Sequence, residues 1–378
     1  MRPDTPAVRI EAVTKKFGDV TAVDDVSLSI REGEFLTILG PSGAGKTSLL
    51  HMIAGFVDPT AGAIHIDGRD VTAAPPYERN IGMVFQSMAL FPHMTVGENI
   101  AFPLEMRRQA TDRIDERVAE MLELVCLPGV ADRSVGELSG GQQQRVAIAR
   151  GLAFGPSLLL LDEPLSSLDK KLREEMRREL LRIHRETDVT TVHVTHNQEE
   201  ALTMADRIAV IREGEIVQHA PAQELYDHPN SAFVADFIGD TNLLSGTVEC
   251  RDGTTVTVTL DGGDATAEGA RQTIECLVET ETENGEHRAS FAPGDRVQVG
   301  VRYERLDLGR EVGTGNAFDA TVTAVEFAGD TVTYDVTLAD MGARLSVTEL
   351  NEPGSRVFDR GETVRVGWDP ADAFVYGE

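Results

Sequence analysis

The run Gly40-Pro41-Ser42-Gly43-Ala44-Gly45-Lys46-Thr47-Ser48 fits the spacing G-x-x-x-x-G-K-[ST]. Glycines so spaced let backbone N–H groups of residues 42–47 converge on phosphate oxygens at a helix N-terminus. In that chemistry Lys46 reaches the β- and γ-phosphates and the Thr47 hydroxyl ligates Mg²⁺. Farther on, Leu158-Leu159-Leu160-Leu161-Asp162-Glu163-Pro164 ends an apolar run in two carboxylates. A carboxylate at the tip of a buried strand is costly unless it serves a charge, and a phosphate-binding loop brings Mg²⁺ to that place. Asp162 is then the metal-side ligand and Glu163 the group that polarises an attacking water. Taken alone, the pair would serve equally as a helix N-cap. Between these two motifs lies Leu138-Ser139-Gly140-Gly141-Gln142, which by itself reads as a turn with a serine N-cap.

Such residues work only if strands and helices deliver them to one place. Residues 35–39, 158–161 and 190–195 read as strands, the leucine run being apolar throughout as a strand buried on both faces should be. Helical patterns occupy roughly 46–54, 111–125, 140–153 and 170–187. Alternation of this kind predicts an α/β domain, a parallel sheet covered by helices. After Gly239 the pattern turns to short Val/Thr alternations at 254–260, 297–302, 319–327 and 331–338, broken by Gly-Asp and Asp-Gly turns. That predicts a small all-β domain over 240–378 after an α/β domain over 1–239.

A length of 378 residues accommodates both domains, each with its own core. The net charge of −28 repels phosphate backbones, so nucleic acid is not an expected partner. Residues 240–378 hold 27 acids and 11 bases, which speaks against a nucleic-acid role for the all-β domain in particular. Cys126, Cys250 and Cys276 are odd in number and lack C-x-x-C spacing, as expected of reduced cytoplasmic thiols. No apolar run approaches the ~18–20 residues of a membrane span, and the first residues lack a signal-peptide core, so a soluble chain is expected.

With the phosphate loop before it and Asp162-Glu163 after it, Leu138-Ser139-Gly140-Gly141-Gln142 resembles the LSGGQ signature of ABC transporter ATP-binding subunits. The resemblance implies a P-loop ATPase fold with a helical subdomain and further site residues. Gln86 in Val84-Phe85-Gln86 is similar to the family's Q-loop glutamine, which senses Mg²⁺ and the attacking water. Ser166-Ser167-Leu168-Asp169 resembles the D-loop, and His196 after Thr195 the switch histidine that contacts the γ-phosphate. Phe17 stands where the family places an aromatic that stacks on adenine, more often tyrosine. The resemblance also implies a homodimer, in which Ser139, Gly140, Gly141 and Gln142 of one copy close over ATP on the P-loop of the other. The stretch from Gln86 to Met106, rich in Met, Phe and Leu, corresponds to the cleft that receives a permease helix.

The tail resembles TOBE domains, an OB-like β fold, through residues 233–244, 299–306 and 325–330. Regulation, dimer support and small-ligand sensing all remain open for it. Residues 70–82 and 89–96 resemble the spermidine/putrescine branch most, with ferric iron, thiamine and sugar importers close behind. The expectation is thus an MgATP-hydrolysing homodimer, peripheral on the cytoplasmic face of the membrane. It would dock on permease subunits served by an extracytoplasmic solute-binding protein. A non-transport ABC ATPase would bring a long coiled-coil insertion or tandem ATPase units, which this sequence does not contain.

Overall fold

Every residue of the strands Phe35–Leu39, Leu158–Asp162 and Thr190–Thr195 is buried, and the three are neighbours in one sheet. This computed structural model describes residues 6–262, 272–278, 291–313 and 315–377. The sheet has six strands in the order Glu215–Ala220, Arg207–Arg212, Phe35–Leu39, Thr190–Thr195, Leu158–Asp162, Ile81–Val84. All neighbours pair in parallel except the first two. Parallel pairing requires crossovers that cover both faces, which is why the three central strands are buried at every position rather than at alternate ones. The register sets Leu39 opposite Thr195 and Asp162 opposite Val194, so the central strands end in one row. In open sheets of this type ligands bind outside that row of carboxyl ends.

The helices Lys46–Ala54, Thr111–Leu124, Gly140–Leu152 and Lys170–Thr187 occupy the segments expected of them. A second, antiparallel sheet of Val20–Ile30, Val8–Phe17, Ala61–Ile66 and Arg69–Asp70 is not apparent in the sequence pattern. Its long pair shifts register between Ile10 and Val13, Val13 and Lys15, and Lys15 and Lys16, and each shift interrupts the period-two alternation that marks a strand.

The chain divides into two compact units, Met1–Asp227 and His228–Glu378. The second contains two five-stranded antiparallel sheets. One runs Thr273–Leu277, Thr255–Leu260, Thr241–Asp252, Arg296–Arg302, Ala373–Gly377, and the other Asp307–Gly309, Thr363–Trp368, Asn316–Phe327, Thr331–Leu338, Arg344–Leu350. Alternate residues of Thr255–Leu260 and Thr331–Leu338 are buried, filling a core with Trp368, Tyr334 and Phe318. The helix Ala232–Ile238 groups with this unit, ahead of the change in sequence texture at 239–242, because the Ala235 carbonyl accepts hydrogen bonds from Thr241 Oγ1 and Arg302. All three cysteines are free thiols.

Candidate active site

The turn from Leu39 into the helix Lys46–Ala54 is built on approaches too close for side chains. A Cβ on Gly40 would stand 2.3 Å from the Ile211 carbonyl oxygen, and one on Gly45 2.2 Å from that of Ala22. Gly43 and Gly45 also take φ of +82° and +101°, which glycine adopts without steric cost. Ala44 N donates to the Pro41 carbonyl at 3.3 Å, Ser42 is exposed and Ser48 half-buried. Lys46 folds back over this loop, its Nζ donating to Gly40 O at 2.8 Å and Pro41 O at 2.9 Å. Burial pushes its ammonium below the ordinary lysine range, against the opposing pull of Glu163 and Asp162. A helix N-terminus with a buried ammonium beside it is a receptor for anionic oxygens.

Asp162 is the last residue of its strand, and Thr47 Oγ1 donates to its Oδ1 at 3.4 Å. Burial raises this carboxyl above the usual range, with nearby His51 the strongest influence in the other direction. His51 Nε2 lies 3.8 Å from Asp162 Oδ2. Thr47 and His51 are four residues apart on one helix and so share a face. Hydroxyl, carboxylate and the amide oxygen of Gln86 make an all-oxygen donor set, which fits a hard cation such as Mg²⁺. A buried carboxylate short of positive charge is where such a cation belongs.

Glu163 follows in left-handed backbone, φ +43°, a conformation that costs a non-glycine residue about 1–3 kcal/mol and recurs at functional sites. Its N–H donates to Val194 O at 3.0 Å, and its Oε1 accepts from His196 Nδ1 at 3.1 Å. Ser166 Oγ donates to the Glu163 carbonyl at 2.9 Å and accepts from Gln86 Nε2 at 3.2 Å. A continuous chain, Gln86 to Ser166 to Glu163 to His196, therefore crosses the tips of neighbouring strands. Lys46, Thr47, Gln86, Asp162, Glu163 and His196, distant in sequence, are brought to one edge of the sheet. His51 and the bridging role of Ser166 are the participants the motifs do not reveal. The spacing of His51 from Thr47 was the available signal; Ser166 stood at the head of the D-loop-like segment, which does not reveal its bonds to Gln86 and Glu163.

The signature residues lie apart from this group. Ser139 caps the helix Gly140–Leu152, its Oγ accepting from Gln142 N at 3.4 Å while Gln142 Oε1 accepts from Ser139 N at 3.0 Å. A methyl on Gly141 would stand 2.8 Å from Leu172 Cδ1, whereas Gly140 has more room. Among the described residues no hydrogen bond joins residues 139–142 to Lys46, Asp162 or Glu163. Asp169 N-caps the helix Lys170–Thr187 through Leu172 N at 3.0 Å. Phe17 ends the strand Val8–Phe17, 50% exposed, with Lys15 Nζ 5.0 Å from its ring centroid. It pairs with Val20, near the Ala22 carbonyl that abuts Gly45, so its hairpin adjoins the phosphate loop. His193, in contrast to His196, is wholly buried, and burial pushes it down to about 3.

Comparison with known proteins bears on the same segments. Residues 23–166 match the family described as ABC transporter, and residues 299–375 match the TOBE domain. A spermidine/putrescine import ATP-binding protein, PotA, of Rubrobacter xylanophilus is 46% identical over 373 residues, covering 98% of this chain and 94% of that one. PotA 1 of Pseudomonas aeruginosa is 47% identical over 366 residues, covering 95% of this chain and 94% of its own. Among solved structures, a dimeric ATP-binding cassette bound to ADP and Pi in a post-hydrolysis state superposes with a TM-score of 0.51 at 36% identity, covering 57% of this chain and 98% of that one.

Proposed function

The chain belongs to the family of ABC transporter ATP-binding subunits of the importer type that carry a TOBE domain, and from that premise we propose that it powers polyamine uptake as an MgATP-hydrolysing homodimer. The observation that carries the chemical part is the Glu163–His196 contact of 3.1 Å at the strand row that also holds Lys46 and Asp162. In this reading the loop N–H groups from Gly40 to Ser48 and the Lys46 ammonium bind the triphosphate, and the Phe17 ring stacks on adenine. Thr47, Asp162 and Gln86 would hold Mg²⁺, which when bound neutralises phosphate charge. Glu163 accepts a proton from, and so orients, the attacking water. His196 holds Glu163 through Nδ1 and leaves Nε2 for the γ-phosphate.

That residues 139–142 make no bond to their own phosphate loop supports a site completed by a second copy. Ser139 and the N–H groups at that helix start would then meet the γ-phosphate of the partner, and Asp169 would lie at the same interface. Docking on permease subunits at the cytoplasmic face, with an extracytoplasmic binding protein beyond them, follows from the importer reading. No helix among the described residues is long and apolar enough to cross a membrane, in keeping with peripheral attachment. Residues 1–239 would carry the ATP chemistry, with 240–378 a regulatory appendage. Spermidine or putrescine as the solute rests on the relatives named above.

The test is Glu163→Gln, which keeps the side-chain shape and removes the anionic acceptor. Turnover should fall by about 10²–10⁴-fold while ATP stays bound, and the chain should accumulate as an ATP-bound dimer on gel filtration. A wild-type rate would remove Glu163 from the mechanism. In cells, deleting the chain should abolish uptake of labelled spermidine or putrescine; unchanged uptake would overturn the choice of solute.

A further inference from the structure

Just after Gln86 the backbone passes through two consecutive non-glycine residues in the left-handed region, Met88 at φ +60° and Ala89 at φ +47°. Each is a conformation that a side chain strains, so the turn persists only if its surroundings hold it. Locally, Met88 N donates to Phe85 O at 2.8 Å and Ala89 N to Ser87 O at 2.7 Å, closing a turn with Gln86 inside it. The other constraint comes from the far end of the signature helix. Arg150, in the last turn of Gly140–Leu152, donates one terminal nitrogen to Ala89 O at 2.7 Å and the other to Met88 O at 2.8 Å. Its guanidinium also lies 5.5 Å from the Phe91 ring centroid.

Two adjacent carbonyls within reach of one another are matched by a planar guanidinium fork, which donates to each from a separate nitrogen, where an ammonium must serve both from one. Among the described residues no ion pair engages Arg150, which burial alone lowers from the ordinary arginine range, and its guanidinium meets only two neutral carbonyls and the Phe91 ring. The residue at the end of this arrangement is Gln86, which bonds Ser166, which bonds the Glu163 carbonyl.

We propose that Arg150 is a positioning residue for ATP hydrolysis: by pinning the left-handed turn at Met88 and Ala89 it holds Gln86 against Ser166, and so ties the orientation of the signature helix to that of the hydrolytic carboxylate. The proposal rests on the ATPase reading above. Arg150 touches no reacting atom, so its removal acts on the catalytic step and not on nucleotide affinity. Glycine occupies left-handed backbone without steric cost, so Met88→Gly with Ala89→Gly should restore the turn where its clamp is missing.

The experiment compares the full-length wild type, Arg150→Gln, Arg150→Lys, and Arg150→Gln combined with Met88→Gly and Ala89→Gly. Each is assayed for kcat with MgATP, for affinity by fluorescent-nucleotide titration, and for thermal unfolding. Arg150→Gln should lower kcat about tenfold with affinity within about twofold, and the added glycines should recover about threefold or more of the lost rate. Arg150→Lys should fall between; if Arg150→Gln does not fold, the same criteria and the same glycine pair are applied to Arg150→Lys. A kcat within about twofold of wild type, a parallel loss of affinity, or no recovery in the folded glycine variant would each overturn the proposal. Glu163→Gln assayed alongside separates the two readings. Full turnover in Glu163→Gln removes Glu163 from the mechanism and this proposal with it, whereas no turnover in the wild type removes the ATPase reading itself. Full turnover in Arg150→Gln beside an inactive Glu163→Gln removes this proposal alone.

Discussion

Polar side chains in the two units satisfy themselves in opposite ways. At the strand ends of Met1–Asp227 they bond one another: Thr47 to Asp162, His196 to Glu163, Gln86 to Ser166. In His228–Glu378 two buried asparagines bond backbone instead. Asn242 accepts from Ser346 N and donates to Ser346 O, both at 2.8 Å, and Asn316 does the same with Glu275 at 2.8 Å. Arg302 donates to the Ala235 carbonyl and to Thr241 Oγ1. An amide that exchanges both bonds with the backbone of one residue imitates a neighbouring strand and fixes a fold. Side chains that bond only each other, at the open end of a sheet, can exchange those bonds for a ligand. Burial alone does not separate the two cases, and Lys46, bonded to the Gly40 and Pro41 carbonyls, shows that a backbone partner does not exclude a site.

The contrast can be broken most severely at Lys46. Replacing it by Ala removes the ammonium from the phosphate loop, and ATP affinity should fall by well over about tenfold, some 1.4 kcal/mol, with the thermal midpoint nearly unchanged. Nucleotide titration of the variant checks this; affinity retained within that margin would mean the loop is a structural staple like those of the second unit.

A second measurement concerns His193, a buried group of the first unit that behaves as fold rather than as site. Its Nδ1 is 3.4 Å from Thr37 Oγ1 and its Nε2 3.7 Å from Glu200 Oε2, and burial holds it at about 3. The unfolded chain takes up this proton below its ordinary 6.5, while the folded one refuses it until about 3. Stability contributed by the neutral ring is therefore present above 6.5 and declines as pH falls through that window, by at most ~1.4 kcal/mol per pH unit. Glu200, raised by burial, acts in the opposite sense, so the difference between wild type and His193→Leu is the quantity to read. Denaturant unfolding at a series of pH values should show a shallower acid decline in His193→Leu; equal slopes would contradict the assignment.

The smallest effect is expected in the second unit. Asn242→Ala leaves both polar groups of Ser346 without their partner, at a cost of about 2 kcal/mol, and should lower the unfolding midpoint of that unit while turnover stays within about twofold. A comparable loss of turnover would show that the two classes of polar group are not separable.

What was legible in the sequence follows the same division. Phosphate loop, signature and Asp162-Glu163 are contiguous motifs because loop geometry and a strand tip are local, and among the central strands the leucine run announces itself by being apolar at every position before Asp162. The antiparallel sheet around Val8–Phe17 escaped because its bulges disturb the alternation. The Arg150 contact to Ala89 and the Gln86 contact to Ser166 escaped because they join residues 61 and 80 positions apart, and nothing local specifies such a pair. The reciprocal bonds of Asn242 to Ser346, 104 positions apart, were hidden for the same reason. Phe17 was located by position alone; its sequence does not say that half of it is exposed.

The cap at the signature helix sets a timescale. Ser139 Oγ, at 3.4 Å from Gln142 N, is already holding its own helix when it is asked to meet a phosphate on another copy. Turning it outward surrenders the cap, a loss of about 1 kcal/mol. In the closed pair proposed above both copies would make this exchange, so the sandwiched state would be weaker than its contacts suggest by about 2 kcal/mol, a factor of about thirty. Expressed as residence time, that factor would fall on dissociation: the proposed pair would spring apart sooner once its nucleotide is spent, each helix recovering its own cap as it leaves.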